Sequence, residues 1–186
     1  MDVTEESSVE GGLAAVYAAW GQVDVLVHTA GAVGSGALVD IATDEWDRVL
    51  RLNLTGAFLV ARATIPRLAV PAKMVFLSSV NARTGGNELS GAAYAAGKAG
   101  VEALTRHLAR VLAPGVQVNA VAPGPVRTAM LARLTESEMA ALVSKIPAGR
   151  VAEPGEVADL IGYLCSPSAG YVTGAVIPQN GGQWIG

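Results

Sequence analysis

The chain has 186 residues, a formal net charge of −3 at pH 7 and a pI near 5.4. This length suits one domain, residues 1–186, and the acidic balance leaves no basic surface that would bind nucleic acid or an anionic membrane. Charged residues make up only 16%, against about 25% in a typical protein, so we expect part of the surface to be buried between subunits. The single cysteine, Cys165, and an acidic start without a signal-peptide pattern favour a reducing cytoplasm.

The start of the chain predicts one helix and one strand. Ser7, followed three residues later by Glu10, predicts a capping box at the beginning of a helix that runs to Trp20. The run VDVLVH, Val23–His28, is short, apolar and rich in β-branched residues. Such a run is typical of a parallel strand that is buried on both faces.

The middle of the chain predicts alternating helices and strands. Thr43 predicts the N-cap of a long helix over residues 43–68, because acidic residues follow it in the first turn. Three further elements follow: a strand over 74–79, a helix over 92–112 and a strand over 116–122. Residues 125–146 are then rich in Met and Leu and predict a mobile apolar stretch after the carboxyl end of a strand.

The last part of the chain predicts a helix over 155–165, with Pro154 near its start, and a strand over 175–179. Pro178 places this strand at the rim of a sheet, since proline is tolerated there. Residues 160–186 carry no charge, but their glycines and prolines argue against a membrane-spanning helix. The alternation of strands and helices predicts an α/β fold in which helices cover both faces of a parallel sheet, with ligands at the carboxyl ends of its strands.

Tyr94 and Lys98 form the first candidate site. They are four residues apart on a predicted helix, so they lie on one helical face, and the ammonium can favour ionisation of the phenol. A tyrosine with a pKa of about 10 needs such help to exchange protons near neutrality. The pair alone also occurs by chance on many amphipathic helices, so the prediction depends on the motifs around it.

Those motifs have a fixed order along the chain. They are HTAG at 28–31, a serine pair ahead of the YxxxK motif, PGPVRT at 123–128 and a late TG…NGG segment. Together they resemble the short-chain dehydrogenase/reductase family, in its compact single-domain branch, over nearly the whole chain. Within that family the chain is similar to the 3-oxoacyl-[acyl-carrier-protein] reductase type. The resemblance implies a Rossmann-like doubly wound parallel sheet and an NAD(P)-dependent oxidoreductase that interconverts a secondary alcohol and a ketone.

The resemblance also implies four catalytic residues. Tyr94 would be the general acid/base, and Ser79 would polarise the substrate oxygen. Lys98 would lower the pKa of Tyr94 and hold the nicotinamide ribose. Asn53 would anchor a water molecule in a proton relay. Because the loop between the serines and Tyr94 is longer than in many relatives, Ser78 stays open as an alternative to Ser79.

The cofactor implied by the resemblance is NAD or NADP, and the residues do not decide between them. The implied cofactor-binding residues are Asp2, Val3, Ala30, Gly31, Tyr94, Lys98, Pro123, Gly124, Val126 and Thr128. The expected substrate is a small apolar carbonyl compound or alcohol, and the expected assembly is a homotetramer or homodimer. Two histidines and one cysteine predict no metal site.

One part of the dinucleotide fingerprint has no counterpart in the sequence. Neither GxGxxG nor TGxxxGxG occurs, and Asp2 and Val3 resemble a segment that follows the third strand of the family. We therefore expect a partial Rossmann-like sheet whose N-terminal strands, roughly 50 to 60 residues, are missing. A truncated or wrongly assigned start, a natural short form and a partner chain that supplies this half are all open.

Two further expectations follow from that gap. The strand Val23–His28 would be a bare apolar sheet edge, which another chain covers or a rearrangement hides. The chain could also be a non-redox relative, either a scaffold subunit or a cofactor-independent proton-transfer catalyst, that has lost dinucleotide binding.

Overall fold

In the computed structural model, which describes residues 1–34 and 36–186, four parallel strands form one sheet in the order β1-β2-β3-β4. The strands are β1 Val23–His28, β2 Leu68–Leu77, β3 Val116–Pro123 and β4 Val176–Gln179. Their register places Met74 of β2 between Leu26 of β1 and Val118 of β3. The α/β fold with a parallel sheet is thereby confirmed, and β4 lies at a sheet edge, as Pro178 predicts.

Seven α-helices are found in the described part of the chain. They are α1 Glu6–Trp20, α2 Thr43–Leu50, α3 Gly56–Thr64, α4 Asn81–Thr84, α5 Ala92–Val111, α6 Glu136–Val143 and α7 Pro154–Cys165. A π-helical turn, Arg51–Thr55, joins α2 to α3, and short 3₁₀ turns lie at Leu38–Asp40, Ile65–Arg67 and Pro167–Ala169. None of these described helices combines the length and the hydropathy that crossing a membrane requires.

The helices cover both faces of the sheet, as expected for a doubly wound fold. On one face, α3 and α5 pack against alternate strand residues such as Met74 and Phe76, which are fully buried. On the other face, α7 packs against Val75 of β2 and Val121 of β3. Successive strand residues point to opposite faces, so β3 and the second half of β2 are mostly apolar and are largely buried on both sides, with Lys73, Gln117 and Asn119 as polar exceptions.

The prediction that β1 is buried on both faces is wrong. His28 is buried and Leu26 packs against the α3 side, but Val25 and Val27 are 42% and 40% exposed. The physical reason is that β1 lies at the sheet edge, where only β2 pairs with it among the described strands. The expected edge position is confirmed.

The long helix predicted over 43–68 is found as one helical stretch from Thr43 to Arg67, made of α2, the π turn Arg51–Thr55, α3 and a 3₁₀ turn. Only its end differs, because Leu68 already begins β2 and pairs with Val23 of β1. Strand β2 therefore begins six residues before the predicted strand over 74–79, and it ends at Leu77, ahead of the serine pair.

The predicted helix caps also differ from the observed ones. The N-cap of α1 is Glu5, so Ser7 and Glu10 form no capping box, and the N-cap of α2 is Ala42 rather than Thr43. A capping box does occur at Thr135, ahead of α6 in the stretch for which we expected mobility. These short polar patterns occur along the sequence more often than they begin helices, because tertiary packing chooses the first turn.

Candidate active site

A cavity of about 310 Å³ lies where β2 and β3 end. The residues after β2, from Ser78 to Asn81, form one wall, and the end of β3 from Pro123 onward forms another. Apolar side chains complete it: Val33, Leu89, Met130, Leu131, Leu134 and Leu142. The cavity thus occupies the position at which parallel α/β sheets bind ligands.

Tyr94 and Lys98 lie on α5 beside this cavity. Both are buried, with 8% and 3% of their surface exposed, and Tyr94 lines the cavity wall. The Nζ atom of Lys98 is 5.7 Å from the centroid of the Tyr94 ring. It also donates a hydrogen bond of 2.7 Å to the carbonyl of Leu77, the last residue of β2. The two side chains therefore share one helical face, as the spacing predicts, and the lysine is tied to the sheet.

Burial governs the protonation of this pair. It raises the pKa of Tyr94 above 10.0, and the neighbouring Ser79 hydroxyl opposes that rise. Burial also lowers the pKa of Lys98 from 10.5 to about 8. Lys98, which we expect to lower the pKa of Tyr94, is not among the causes of this shift, and loss of water around the phenol is the largest of them. At neutral pH, Tyr94 keeps its proton.

The two serines differ in their surroundings. The hydroxyl of Ser78 lies 3.3 Å from the carbonyl of Lys98 and 3.2 Å from the carboxylate of Glu102, so it is occupied. The Oγ atom of Ser79 accepts a hydrogen bond of 3.2 Å from the backbone N–H of Asn81, and its hydroxyl also interacts with the phenol of Tyr94 in the cavity wall. The geometry therefore favours Ser79 over Ser78 as the group that faces a ligand oxygen.

Asn53 lies in the middle of the π turn Arg51–Thr55 and is fully buried. Its Nδ2 atom donates to the carbonyls of Ala32, at 2.8 Å, and Val49, at 2.9 Å. Its Oδ1 atom is buried and has no hydrogen-bond partner within the described residues. Single π turns in helices are frequent at functional sites, and here the turn presents an unpaired acceptor.

Gly31, three residues after β1, lies against Asn53 and Lys98. A Cβ atom at this position would be 2.6 Å from Asn53 Oδ1 and 3.2 Å from Lys98 Nζ, so no side chain fits. The buried Lys98 ammonium has three donors, and within the described residues it makes one hydrogen bond and no salt bridge. The Gly31 backbone itself is exposed, and an exposed backbone beside the unused donors of Lys98 fits a ribose with two hydroxyls.

Of the other predicted cofactor-binding residues, four line the cavity and three do not. Those of the PGPVRT segment all line the cavity: Pro123, Gly124, Val126 and Thr128. Asp2 and Val3 do not line it. The Asp2 carboxylate accepts hydrogen bonds from the backbone and hydroxyl of Thr4, and Val3 packs between α1 and α3. Ala30, next to Gly31, also lies outside the cavity wall. The structure thus brings the predicted catalytic residues together and leaves Asp2 and Val3 apart from them.

Two residues near the cavity were not predicted. Gln183, in the loop after β4, lines the cavity with a buried and unpaired Oε1 atom. Glu102, one turn of α5 beyond Lys98, is buried and is paired with Arg83 at 2.6 Å and Arg106 at 3.3 Å. The spacing of Glu102 and Arg106 was a usable signal for an ion pair. No sequence pattern marks Gln183.

Comparisons with known proteins agree with this geometry. The family model described as enoyl-(acyl carrier protein) reductase matches residues 1–183. The chain is 35% identical to the 3-oxoacyl-[acyl-carrier-protein] reductase FabG of Vibrio cholerae and 39% identical to MabA, of the same description, from Mycobacterium tuberculosis. Both alignments cover the whole chain and about three quarters of the relative, 76% and 75% respectively.

A solved structure gives the same result. The crystal structure described as a short-chain dehydrogenase/reductase, glucose/ribitol dehydrogenase, from Brucella melitensis superposes with a TM-score of 0.95 at 32% identity. It covers 100% of this chain and 75% of that one. With a family model across almost all residues and relatives above 30% identity, the chain belongs to the short-chain dehydrogenase/reductase family of NAD(P)-dependent oxidoreductases.

Proposed function

We propose that this chain interconverts a secondary alcohol and a ketone, with Tyr94 as the general acid/base. The observation that carries this proposal is the arrangement of two hydroxyl groups in one apolar cavity. Ser79 and Tyr94 both line it, and the ammonium of Lys98 lies beside the phenol ring. Reduction of a carbonyl builds negative charge on its oxygen, and two hydroxyl donors within reach of that oxygen stabilise it.

The protonation of Tyr94 suits the direction of reduction. Burial raises its pKa, so the phenol carries a proton at neutral pH and can donate it to the substrate oxygen. The Ser79 hydroxyl, whose oxygen already accepts from Asn81, can donate to the same oxygen. The reverse reaction requires the phenolate and is therefore favoured at higher pH.

NAD or NADP supplies the hydride when bound, since no amino-acid side chain can. We assign the nicotinamide ribose to the space beside Gly31 and the free donors of Lys98. The backbone of Pro123 and Gly124, with Val126 and Thr128, forms the adjoining wall. Ala30 would lie along the ribose, and Asp2 with Val3 would lie toward the adenine end.

Asn53 completes the proposed proton path. Its unpaired Oδ1 atom is buried beside Gly31 and is an acceptor that a water molecule can satisfy. That water would pass protons between Lys98 and the solvent and so restore the Tyr94 proton after each turnover. Asn53 therefore acts by positioning a water, whereas Tyr94 touches the substrate.

The cavity supports a small and mainly apolar substrate. Its wall carries one methionine and three leucines from residues 130–142, and relatives are described as 3-oxoacyl-[acyl-carrier-protein] reductases. We therefore propose a ketone or an acyl-type carbonyl compound as the substrate. We also propose a homodimer or homotetramer, in which the low charge content and exposed apolar side chains find partners.

Replacement of Tyr94 by Phe tests the proposal. We expect the turnover number for a ketone with NADPH or NADH to fall by about 10²- to 10⁴-fold, because the proton donor is removed while the ring stays. Tyr163→Phe is the matched control, since Tyr163 on α7 is partly exposed and lies outside the cavity wall. Equal turnover in the Tyr94→Phe variant and the unaltered chain would refute the role of Tyr94.

A titration with NADH and NADPH tests the redox assignment separately. Cofactor fluorescence should show saturable binding, and the tighter of the two cofactors identifies the preference. The rival function is a non-redox protein that moves protons or serves as a scaffold, and it requires that the chain binds no dinucleotide. A folded chain that binds neither cofactor would support this rival.

A further inference from the structure

The cavity wall carries one positive charge. Among the described residues that line it, Arg133 is the only one with a charged side chain, and no acidic side chain is among them. Arg133 belongs to the stretch between β3 and α6 that also gives Leu131 and Leu134 to the wall. The rest of the wall is apolar or carries uncharged polar groups. A ligand in this cavity therefore meets a cation and no anion.

A hydrogen bond holds the guanidinium of Arg133 at the cavity. Its Nη2 atom donates to the carbonyl of Leu89, which lies in the loop ahead of α5 and lines the same cavity. Arg133 and Leu89 are both exposed as well as part of the wall, so they lie at the mouth of the cavity. A ligand that enters from the solvent can reach the head group there.

The guanidinium of Arg133 has unused donors. A guanidinium carries five N–H donors, and within residues 1–34 and 36–186 Arg133 makes one hydrogen bond and no salt bridge. Six other arginines of this part of the chain each pair with a carboxylate: Arg48, Arg62, Arg83, Arg106, Arg127 and Arg150. The charge of Arg133 is therefore available to a bound ligand.

The acidic group that senses Arg133 is engaged elsewhere. The Glu138 carboxylate accepts hydrogen bonds of 2.8 Å from the backbone N–H and from the hydroxyl of Thr135, the N-cap of α6. These hydrogen bonds lower the pKa of Glu138, and the charge of Arg133 lowers it further. Glu138 thus stays bound to the start of its own helix and forms no salt bridge with Arg133.

We propose that Arg133 is a specificity-determining residue that binds a carboxylate of the substrate, while the reacting carbonyl lies at Ser79 and Tyr94. This inference rests on the proposed function for the position of the carbonyl. A carboxylate fits because its two oxygens can accept from one planar guanidinium, and because its single charge matches the single charge of the wall. A phosphate dianion would leave one charge without a partner. The preferred substrate is then a keto acid with an apolar chain between its two polar groups.

The test is a binding measurement with matched ligands. Straight-chain methyl ketones of increasing length are prepared in two forms, one with a terminal carboxylate and one with the neutral carboxamide of the same shape. Their affinities for the full chain are measured by calorimetry, with and without NADP⁺. At the best length, we expect the carboxylate form to bind roughly tenfold more tightly, because hydrogen bonds between charged groups are the stronger ones. Added sodium chloride should reduce this preference.

Arg133→Met keeps an apolar side chain in the wall and removes the charge, so it should abolish the preference for the carboxylate form. Arg133→Lys keeps the charge without the planar fork and should retain part of the preference. Arg110→Met is the matched control. Arg110 on α5 is exposed, forms no salt bridge within the described residues and lies outside the cavity wall, so its removal changes the net charge equally. This control should keep the preference.

The outcomes separate this inference from the proposed function. No preference at any length, an equal preference in Arg133→Met and the unaltered chain, or an equal loss in Arg133→Met and Arg110→Met overturns the role of Arg133. Turnover of the carboxamide ketones is measured in parallel. If these ketones are reduced without any carboxylate preference, the redox proposal stands alone. If no ketone is reduced but the preference is present and is lost in Arg133→Met, the redox proposal falls and the carboxylate site stands.

Discussion

The buried ammonium of Lys98 predicts an unusual dependence of stability on alkaline pH. The pKa of Lys98 is about 8 in the folded chain, against 10.5 for a free lysine, because burial disfavours the charge. Between these two values, the unfolded chain binds a proton that the folded chain has released. Stability therefore rises with pH in this window. Applying the linkage relation to a single site, we expect a gain of about 1 kcal/mol between roughly pH 7 and pH 9.

Urea unfolding at a series of pH values measures this gain, provided that the effect of Lys98 is isolated. The difference in unfolding free energy between the unaltered chain and Lys98→Met removes the contribution of other groups, including Cys165, whose pKa burial raises. Lys145→Met serves as the control, because Lys145 is exposed. A difference for Lys98→Met that stays flat from about pH 7 to pH 9 would refute the reasoning, since the ammonium would then be free of its burial penalty.

Two further predictions concern β1 and the residues after it. Burial lowers the pKa of His28 from 6.5 to about 4, so stability should fall as pH decreases through this range, by up to about 3 kcal/mol. Urea unfolding should show that His28→Asn removes most of this acid sensitivity. Gly31→Ala places a methyl group 2.6 Å from Asn53 Oδ1, and cofactor titration should show at least tenfold weaker binding. Gly11→Ala, where a Cβ atom meets nothing within 4 Å, should leave binding unchanged.

The parts of the fold that could be predicted are those that local pattern determines. Strands β1 and β3 match their apolar runs closely, and α5 begins at Ala92 as expected. The early start of β2 was not predictable, because its first residue is placed by pairing with Val23 on another strand. The π turn Arg51–Thr55 has the same kind of cause, since it presents Asn53 to the carbonyl of Ala32, a residue 21 positions away.

The residues of the candidate site also differ in whether the sequence could predict them. Tyr94, Lys98 and Ser79 could be recognised because their spacing, or their place after a strand, carries the chemistry. The protonation states of Tyr94 and Lys98 could not be predicted, because they depend on how deeply the folded chain buries each side chain. Gln183 escaped recognition because its place in the cavity wall depends on how the chain folds, which no local sequence pattern records.

The groups that handle protons are attached to the interior of the sheet rather than to its exposed edge. Lys98 is bonded to the end of β2, and Ser79 follows that strand, whereas the open strand β1 carries none of these side chains. Strand β1 is connected to the site by the residues that follow it: Gly31 lies against Asn53 and Lys98, and the carbonyl of Ala32 accepts a hydrogen bond from Asn53. A change in how β1 is covered should therefore alter the ribose space and the Asn53 acceptor first. The hydroxyl pair of Ser79 and Tyr94 should keep its geometry, so the affinity for the dinucleotide and the water that Asn53 positions should change before the groups that face the substrate oxygen.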